Sequence, residues 1–385
     1  MQSPTLRAVN VLVRGRRRPF RTVSFDERSN EVRLINQRAL PHRFEIVARS
    51  DYRATAESIR DMTVRGAGAI GATAAYGLAQ GVRAFRGENL ERFAIHVDRV
   101  YSSLRDARPT AVDPVNAMNA VCEAMTSETT VKTKQEIALD AARMFADDNV
   151  AHCQAIGDHG ADLIRAGSTV LTHCNAGWLA FVDVGSATAP MYVAQSRGTP
   201  FTVYCDETRP RCQGASLTAW ELGQQGIPHR VIADNAAGWL MQQGQIQLVI
   251  VGADRVLGRT GEIANKIGTY TKAVLAHRHG IPFYVAIPMS TLDWDLASGR
   301  DIPIEDRDGS EVLGAWGRVE DPRPRLRVGS SGTSSDLTYV RIANPGSTAI
   351  NPGFDVTPPE LITGIITPHG IFRPRDLGAL RRRGS

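Results

Sequence analysis

The chain has 385 residues, 42% of them hydrophobic and 22% charged, an ordinary composition for a soluble globular protein with length for one large domain or two. The net charge of +5 comes largely from the ends, from Arg14, Arg16, Arg17 and Arg18 on one side and Arg381, Arg382 and Arg383 on the other, and such runs are read as solvated tails rather than a nucleic-acid surface. No apolar run reaches the roughly 18 residues of a membrane span, and the N-terminus lacks the apolar core of a signal peptide. The five cysteines (Cys122, Cys153, Cys174, Cys205 and Cys212) are odd in number and lack C-x-x-C spacing, which argues against a disulfide framework and a structural zinc site. The expectation is a cytoplasmic protein with free thiols and no nucleic-acid or membrane partner.

In chain order, RTVSFDE (21–27) and EVRLINQ (31–37) alternate as the strands of a small hairpin would. Helical periodicity follows from Ala54, through AESIRDMT (56–63), AIGATAAYGLAQGVRAF (69–85) and AVDPVNAMNAVCEAM (111–125). The stretch 134–164 extends it as one long helix or two. Then the rhythm changes. Short apolar runs STVLTH (168–173), FTVYCDE (201–207), RVIAD (230–234), LVIVGAD (248–254) and FYVAIP (283–288) alternate with stretches expected to be helical, among them 176–198 and 270–280. Near-continuous apolar strands alternating with helices predict a parallel sheet covered on both faces. The fold class expected is therefore α/β. A Rossmann-like domain covers 151–385, preceded by a mostly helical N-terminal domain with a small β-sheet over 1–150. The segment 321–336, rich in Pro, Gly, Ser and Arg, reads as an inserted surface loop.

The segment VRGAGAIG (64–71) contains a G-x-G-x-x-G. A dinucleotide fingerprint needs an apolar strand before it and an acidic residue at the end of the next strand, about 20 residues on. Here ESIRDMTVR precedes, helical and charged, and one long apolar helix follows, so the context fails. A glycine turn opening a helix still offers free N–H groups and a positive helix end to an anion, and Arg65 adds a permanently charged fork. A second basic turn stands at ARPTAVD, with Arg108 ahead of Pro109 and Thr110. Either alone is explained as well by close packing and a surface ion pair. Together they suggest a phosphate clamp.

Ligands of open parallel sheets bind beyond the carboxyl ends of the strands. Those ends carry His173-Cys174-Asn175, Cys205-Asp206-Glu207, Asp234-Asn235 and Gly252-Ala253-Asp254-Arg255. Asp234 is either a site residue or a helix cap. Cys174 follows an apolar strand and precedes a helix start, where a thiol is activated unless it is an inert buried cysteine. No H-E-x-x-H or similar ligand cluster occurs, so no metal site is expected.

The motifs TVRGAGAIGATAAYGLA, RPTAV, LTHCNAG, DETRPRCQGASLTAWEL, IADNAAGWLM, VGADRV, ANKIGTY and FDVTPPELITGIIT together resemble the 5-methylthioribose-1-phosphate isomerase family of methionine salvage. The likeness runs in the family's order from about residue 33 to about residue 371. That family includes ribose-1,5-bisphosphate isomerase and is related to regulatory subunits of the exchange factor that recharges translation initiation factor 2. The resemblance implies an N-terminal helical domain, a Rossmann-like C-terminal domain, a homodimer, a sugar-phosphate substrate, and neither metal nor organic cofactor. By matching motif it implies that Cys174 and Asp254 are the catalytic pair. Arg65, Gly66, Ala67, Arg108 and Gln213 would grip the phosphate, with Asn265 and Lys266 approaching the sugar and Asn175 and Asp206 as further candidates. One departure stands inside the motif: Gly68 occupies the position where family isomerases read proline in RGAPAIG.

In such a substrate phosphate blocks the anomeric oxygen, so the ring opens only if an acid protonates the ring oxygen; a hydrogen then moves from C2 to C1. A carboxylic acid in a water-poor pocket suits the first step, assigned to Asp254. Cys174 would serve the second, either taking the C2 proton in an enolate route or assisting a hydride shift, in a site closed to water. The 5-substituent stays open between methylthio, plain deoxy and another group. The competing function is a non-catalytic regulatory protein that binds a sugar phosphate or nucleotide, members of which generally lack the Cys/Asp pair.

Overall fold

The computed structural model describes residues 10–109, 112–319 and 337–382; Thr110 and the expected insertion at 321–336 lie outside the described residues. Strands β1 (Asn10–Val13) and β2 (Arg16–Pro19) form an antiparallel hairpin. The N-terminal basic run is thus a strand and not a loose tail. Arg17 donates to the Gln224 carbonyl at 2.7 Å, and the side-chain oxygen of Gln224 accepts from the Leu12 N–H.

Strands β3 (Val23–Asp26), β4 (Glu31–Ile35) and β5 (Ile46–Arg49) make a small antiparallel sheet, as the alternating pattern requires. Five helices follow: α1 (Tyr52–Arg60), α2 (Ala67–Ala84), α3 (Leu90–Arg105), α4 (Asp113–Ala124) and α5 (Val131–Gly160). Asp51 starts α1 by accepting the Arg53 and Ala54 N–H groups. The glycine- and alanine-rich α2 is buried on almost every face, as a helix apolar all round must be. Helix α5 serves two cores. Leu139, Ala142 and Ala146 pack among the N-terminal helices, and Cys153 and Ile156 pack under the large sheet.

The rest of the chain supplies β6 (Thr169–Thr172), α6 (Ala189–Ser196), β7 (Thr202–Asp206), α7 (Ala219–Gln225), β8 (His229–Ile232), α8 (Ala236–Gln242) and β9 (Leu248–Val251). Then come β10 (Arg255–Leu257), β11 (Ile263–Lys266), α9 (Thr269–Arg278), β12 (Phe283–Ala286), β13 (Leu292–Asp293), α10 (Ser310–Leu313), β14 (Gly314–Gly317), β15 (Thr338–Arg341), β16 (Phe354–Thr357), β17 (Gly364–Thr367) and β18 (Gly370–Phe372). Seven strands form one sheet in the order β18-β17-β12-β9-β6-β7-β8. It is parallel except for β18, the Rossmann-like sheet expected. No helix among the described residues is long and apolar enough to cross a membrane.

Two features differ from the expectation. Residues 176–198 are helical only over α6 and one short turn at Trp178–Ala180; between them the chain is irregular and buried. Side chains satisfy its amides: Glu221 accepts from Leu179 N–H, Asn149 from Val182 N–H, and Asp183 from Val184 N–H. A second sheet, β13-β10-β11-β16, also stands beside the first. Its strands are short and its partners come from distant segments, so no local pattern announces it.

Candidate active site

From β6 the chain lays β7 and β8 outward on one side, then crosses back to place β9 and β12 on the other. The strand order reverses between β6 and β9, so a crevice opens beyond their carboxyl ends. Cys174 follows β6 there and Asp254 follows β9. Both line one cavity together with Arg65, Gly66, Ala67, Arg108, Gln213 and Lys266. Apolar side chains close its other walls, among them Met62, Ile70, Ile302, Ile304 and Phe354.

The glycine turn forms one wall. Gly66 has φ 90°, and a Cβ there would fall 2.3 Å from the Ala180 Cα, so no other residue fits. The first helical bond runs from Ile70 N–H to the Gly66 carbonyl, which leaves the N–H groups of the first turn of α2 available to an anion. As the sequence context requires, a helix and not a strand precedes this turn. Arg65 is aimed by Asn175: Nη1 donates to its Oδ1 at 2.8 Å and Nη2 to its carbonyl at 2.9 Å. Asn175 in turn donates to Glu221 Oε1 at 3.0 Å, and Glu221 also accepts from the Leu179 N–H and the Tyr192 hydroxyl. Burial pushes the Glu221 carboxyl up to about 7, opposed by those hydrogen bonds and by Arg65.

Cys174 is nearly buried, at 8% exposure. Its backbone sits at φ 61°, a left-handed conformation that costs about 1–2 kcal/mol for a residue with a Cβ. Two threonines hold it there: Thr208 Oγ1 accepts its N–H at 2.8 Å and Thr218 Oγ1 donates to its carbonyl at 2.7 Å. Asp254 lines the cavity and is itself an exposed residue. The protein around it pushes its carboxyl above the usual carboxylate range, with Lys266, Arg65 and Arg108 pulling the other way. Lys266 donates to the Gly353 carbonyl at 2.7 Å and stands 4.6 Å from the Phe354 ring centre. Burial holds its ammonium below the usual value, while Cys174 and Asp254 oppose that shift.

Arg108 pairs with Glu305 at 3.1 Å, yet its buried Nε has no partner; neither has the Oε1 of Gln213 nor the Oδ1 of Asp113. Three polar groups on this wall therefore lack a protein partner, which favours a polar ligand. The remaining candidates stand apart from the cavity. Asn265 donates to Thr269 Oγ1 at 2.9 Å. Asp206 is fully buried against His173 Nδ1 at 2.8 Å and Lys272 Nζ at 3.2 Å. Asp234 does not cap α8; its carboxylate accepts the Thr208 and Arg209 N–H groups and fixes the loop after β7. Among the described residues, His173, Asp206 and Asp234 are the one cluster spaced as metal ligands are. Lys272 Nζ pairs with the Asp206 carboxylate and donates to the Asp234 carbonyl at 2.9 Å, and His173 Nε2 meets the Ile267 carbonyl at 2.9 Å, so these groups tie the strand ends together.

Four polar lining groups or supports escaped the sequence reading. Asp113 and Arg211 sat inside quoted motifs with nothing local to mark them. Arg307, held with Arg211 on Glu311, lies in a segment without any motif. Against its burial, the two guanidinium groups hold the Glu311 carboxyl down to about 2. Glu221 reads as an ordinary helix-surface acid until the fold buries it.

Residues 63–374 match the model of the Initiation factor 2 subunit family. The chain belongs to that family. Within it, the chain is 45% identical over 374 residues to a methylthioribose-1-phosphate isomerase of Methylobacterium nodulans, covering 94% of this chain and 96% of the relative. The solved 5-methylthioribose 1-phosphate isomerase of Pyrococcus horikoshii OT3 superposes with a TM-score of 0.80 at 39% identity, over 94% of this chain and 95% of that one. Subunit delta of the translation initiation factor eIF-2B from A. fulgidus follows at a TM-score of 0.75 and 35% identity, over 92% and 96%. The family thus joins isomerases and translation-factor subunits on one fold, and the site must decide between them.

Proposed function

We propose that this protein is an aldose–ketose isomerase that converts 5-methylthioribose 1-phosphate to 5-methylthioribulose 1-phosphate in the cytoplasm, as a homodimer. The observation that carries the proposal is the shared cavity of Cys174 and Asp254, walled by Arg65, Arg108 and the start of α2. Isomerase relatives of this identity and coverage point the same way.

In this reading the phosphate lies against the first turn of α2, with the Arg65 and Arg108 guanidinium groups and the Gln213 amide around it. Asp254, its carboxyl pushed above the usual carboxylate range by desolvation, gives a proton to the ring oxygen. The C1–ring-oxygen bond breaks, and hydrogen leaves C2 for C1. Cys174 faces that transfer, by the enolate or the hydride route. Lys266, the second group facing the opened chain, stabilises negative charge between Cys174 and Asp254. The apolar side of the cavity, Met62, Ile302, Ile304 and Phe354, suits a methylthio or deoxy 5-substituent better than a second phosphate.

The alternative is a regulatory binding protein, favoured by the eIF-2B neighbour. A 31P NMR assay separates them: wild-type protein without added cofactor, offered methylthioribose 1-phosphate, 5-deoxyribose 1-phosphate or ribose 1,5-bisphosphate. Conversion of the first, faster than of the third, is expected. Conversion of none overturns the isomerase reading.

A further inference from the structure

Asp113 opens helix α4 and is 2% exposed. It lines the cavity that holds Cys174 and Asp254. The Ser290 side chain hydrogen-bonds its carboxyl, yet Oδ1 has no partner. A buried carboxylate oxygen left unpaired costs on the order of 1–3 kcal/mol, more when charged, so its retention on a ligand-facing wall calls for a ligand hydrogen.

The surroundings show which hydrogen. Gly71 of α2 packs beside Asp113, Phe145 of α5 packs against the same glycine, and neither carries a charge. From the turn at Met289–Thr291 comes Ser290, and from the end of β9 comes the like charge of Asp254. Arg65, Arg108, Arg211, Arg255, Lys266 and Arg307 complete the charged lining shared with these carboxyls. Burial, with the field of Asp254 added, pushes the Asp113 carboxyl up to about 6. The Asp254 charge thus acts on Asp113 across the cavity that both carboxyls line.

The isomerisation needs such a pair. The ring oxygen gains a proton and the 2-hydroxyl loses one, so an acid and a base are consumed together. We propose that Asp113 is the base for the substrate's 2-hydroxyl, working as the proton partner of Asp254; this rests on the isomerase reading of the site. Protonated Asp254 gives its proton to the ring oxygen as the C1–ring-oxygen bond breaks. The C2 hydrogen reaches C1, with its electron pair in the hydride route, or as a proton by way of the Cys174 sulfur in the enolate route. The O2–H bonding pair becomes the π bond of the C2 ketone, and its proton goes to ionised Asp113. The cycle closes when that proton returns to Asp254.

The test compares wild type, Asp113→Asn and Asp113→Ser in steady-state turnover of methylthioribose 1-phosphate across pH 5–9. Asp113→Asn keeps shape and removes the base: kcat is expected to fall at least about 100-fold with KM changed less than about threefold. Asp113→Ser keeps an oxygen at the helix start and opens room for a small acid, so added formate is expected to restore part of its turnover. The wild-type rate should rise with pH through a limb near 6 that both variants lack. A folded Asp113→Asn with wild-type kcat overturns the proposal alone. So does loss of kcat in Asp113→Ser that formate does not relieve, which marks a structural role. A wild type that isomerises no sugar phosphate overturns the isomerase reading and this proposal with it.

Discussion

Replacing Glu221 by Gln tests how the site is held. The fully buried Glu221 carboxyl accepts from Asn175, Leu179 and Tyr192, and burial lifts it from 4.5 to about 7. One pKa unit is worth about 1.4 kcal/mol, so ionising Glu221 in the folded protein costs about 3 kcal/mol more than in the unfolded chain. The pKa is raised on folding. The stability contribution is therefore fully present below about 4.5 and is lost as pH rises through about 7. Gln is neutral at every pH and keeps the shape and one acceptor oxygen. Urea unfolding of both proteins at pH 5 and pH 8 reads the effect as a difference of differences, which cancels the parallel contribution of Asp113. The Glu221→Gln variant should gain on wild type by about 2–3 kcal/mol between those pH values. A gap between the two proteins that is the same at both pH values would refute the burial argument.

Arg65→Lys removes the fork that spans Asn175 and the cavity; with charge-assisted bonds worth about 1.5–3 kcal/mol each, KM should rise roughly 10–100-fold. A KM within twofold of wild type in the same kinetics would remove Arg65 from the phosphate site. Gly68→Ala puts a Cβ 2.5 Å from Phe181 and 2.6 Å from the Asn149 amide, whose oxygen accepts the Val182 N–H. It should lower stability by about 1–3 kcal/mol in calorimetry, and an unchanged Tm would show that Phe181 and Asn149 move aside freely. This crowding also gives the departure at Gly68 a physical meaning: Phe181 and Asn149 fill the space that a larger residue would need.

Much of the sheet was legible because β6, β7, β9 and β12 are buried on both faces and so read as unbroken apolar runs. The turn at Gly66 was legible because a positive φ and a close neighbour demand glycine. The segment between Trp178 and α6 was not, since an apolar stretch whose amides are satisfied by distant side chains looks like a buried helix. Asp113 and Glu221 were also hidden. Each stands among helix-forming residues as a surface acid would, and only tertiary packing buries it. The convergence of Cys174 and Asp254 needs the strand order, which no local pattern carries; motif likeness pointed to the pair, and the reversal between β6 and β9 gives the reason they meet.

The most direct test of the account is a paired measurement of turnover and binding in Cys174→Ser and Asp254→Asn. Both variants should bind methylthioribose 1-phosphate within a fewfold of wild type by calorimetry, while 31P NMR shows turnover reduced by roughly a thousandfold or more. Near-normal turnover in either variant would contradict the claim that this carboxyl opens the ring and this sulfur serves the C2-to-C1 hydrogen transfer.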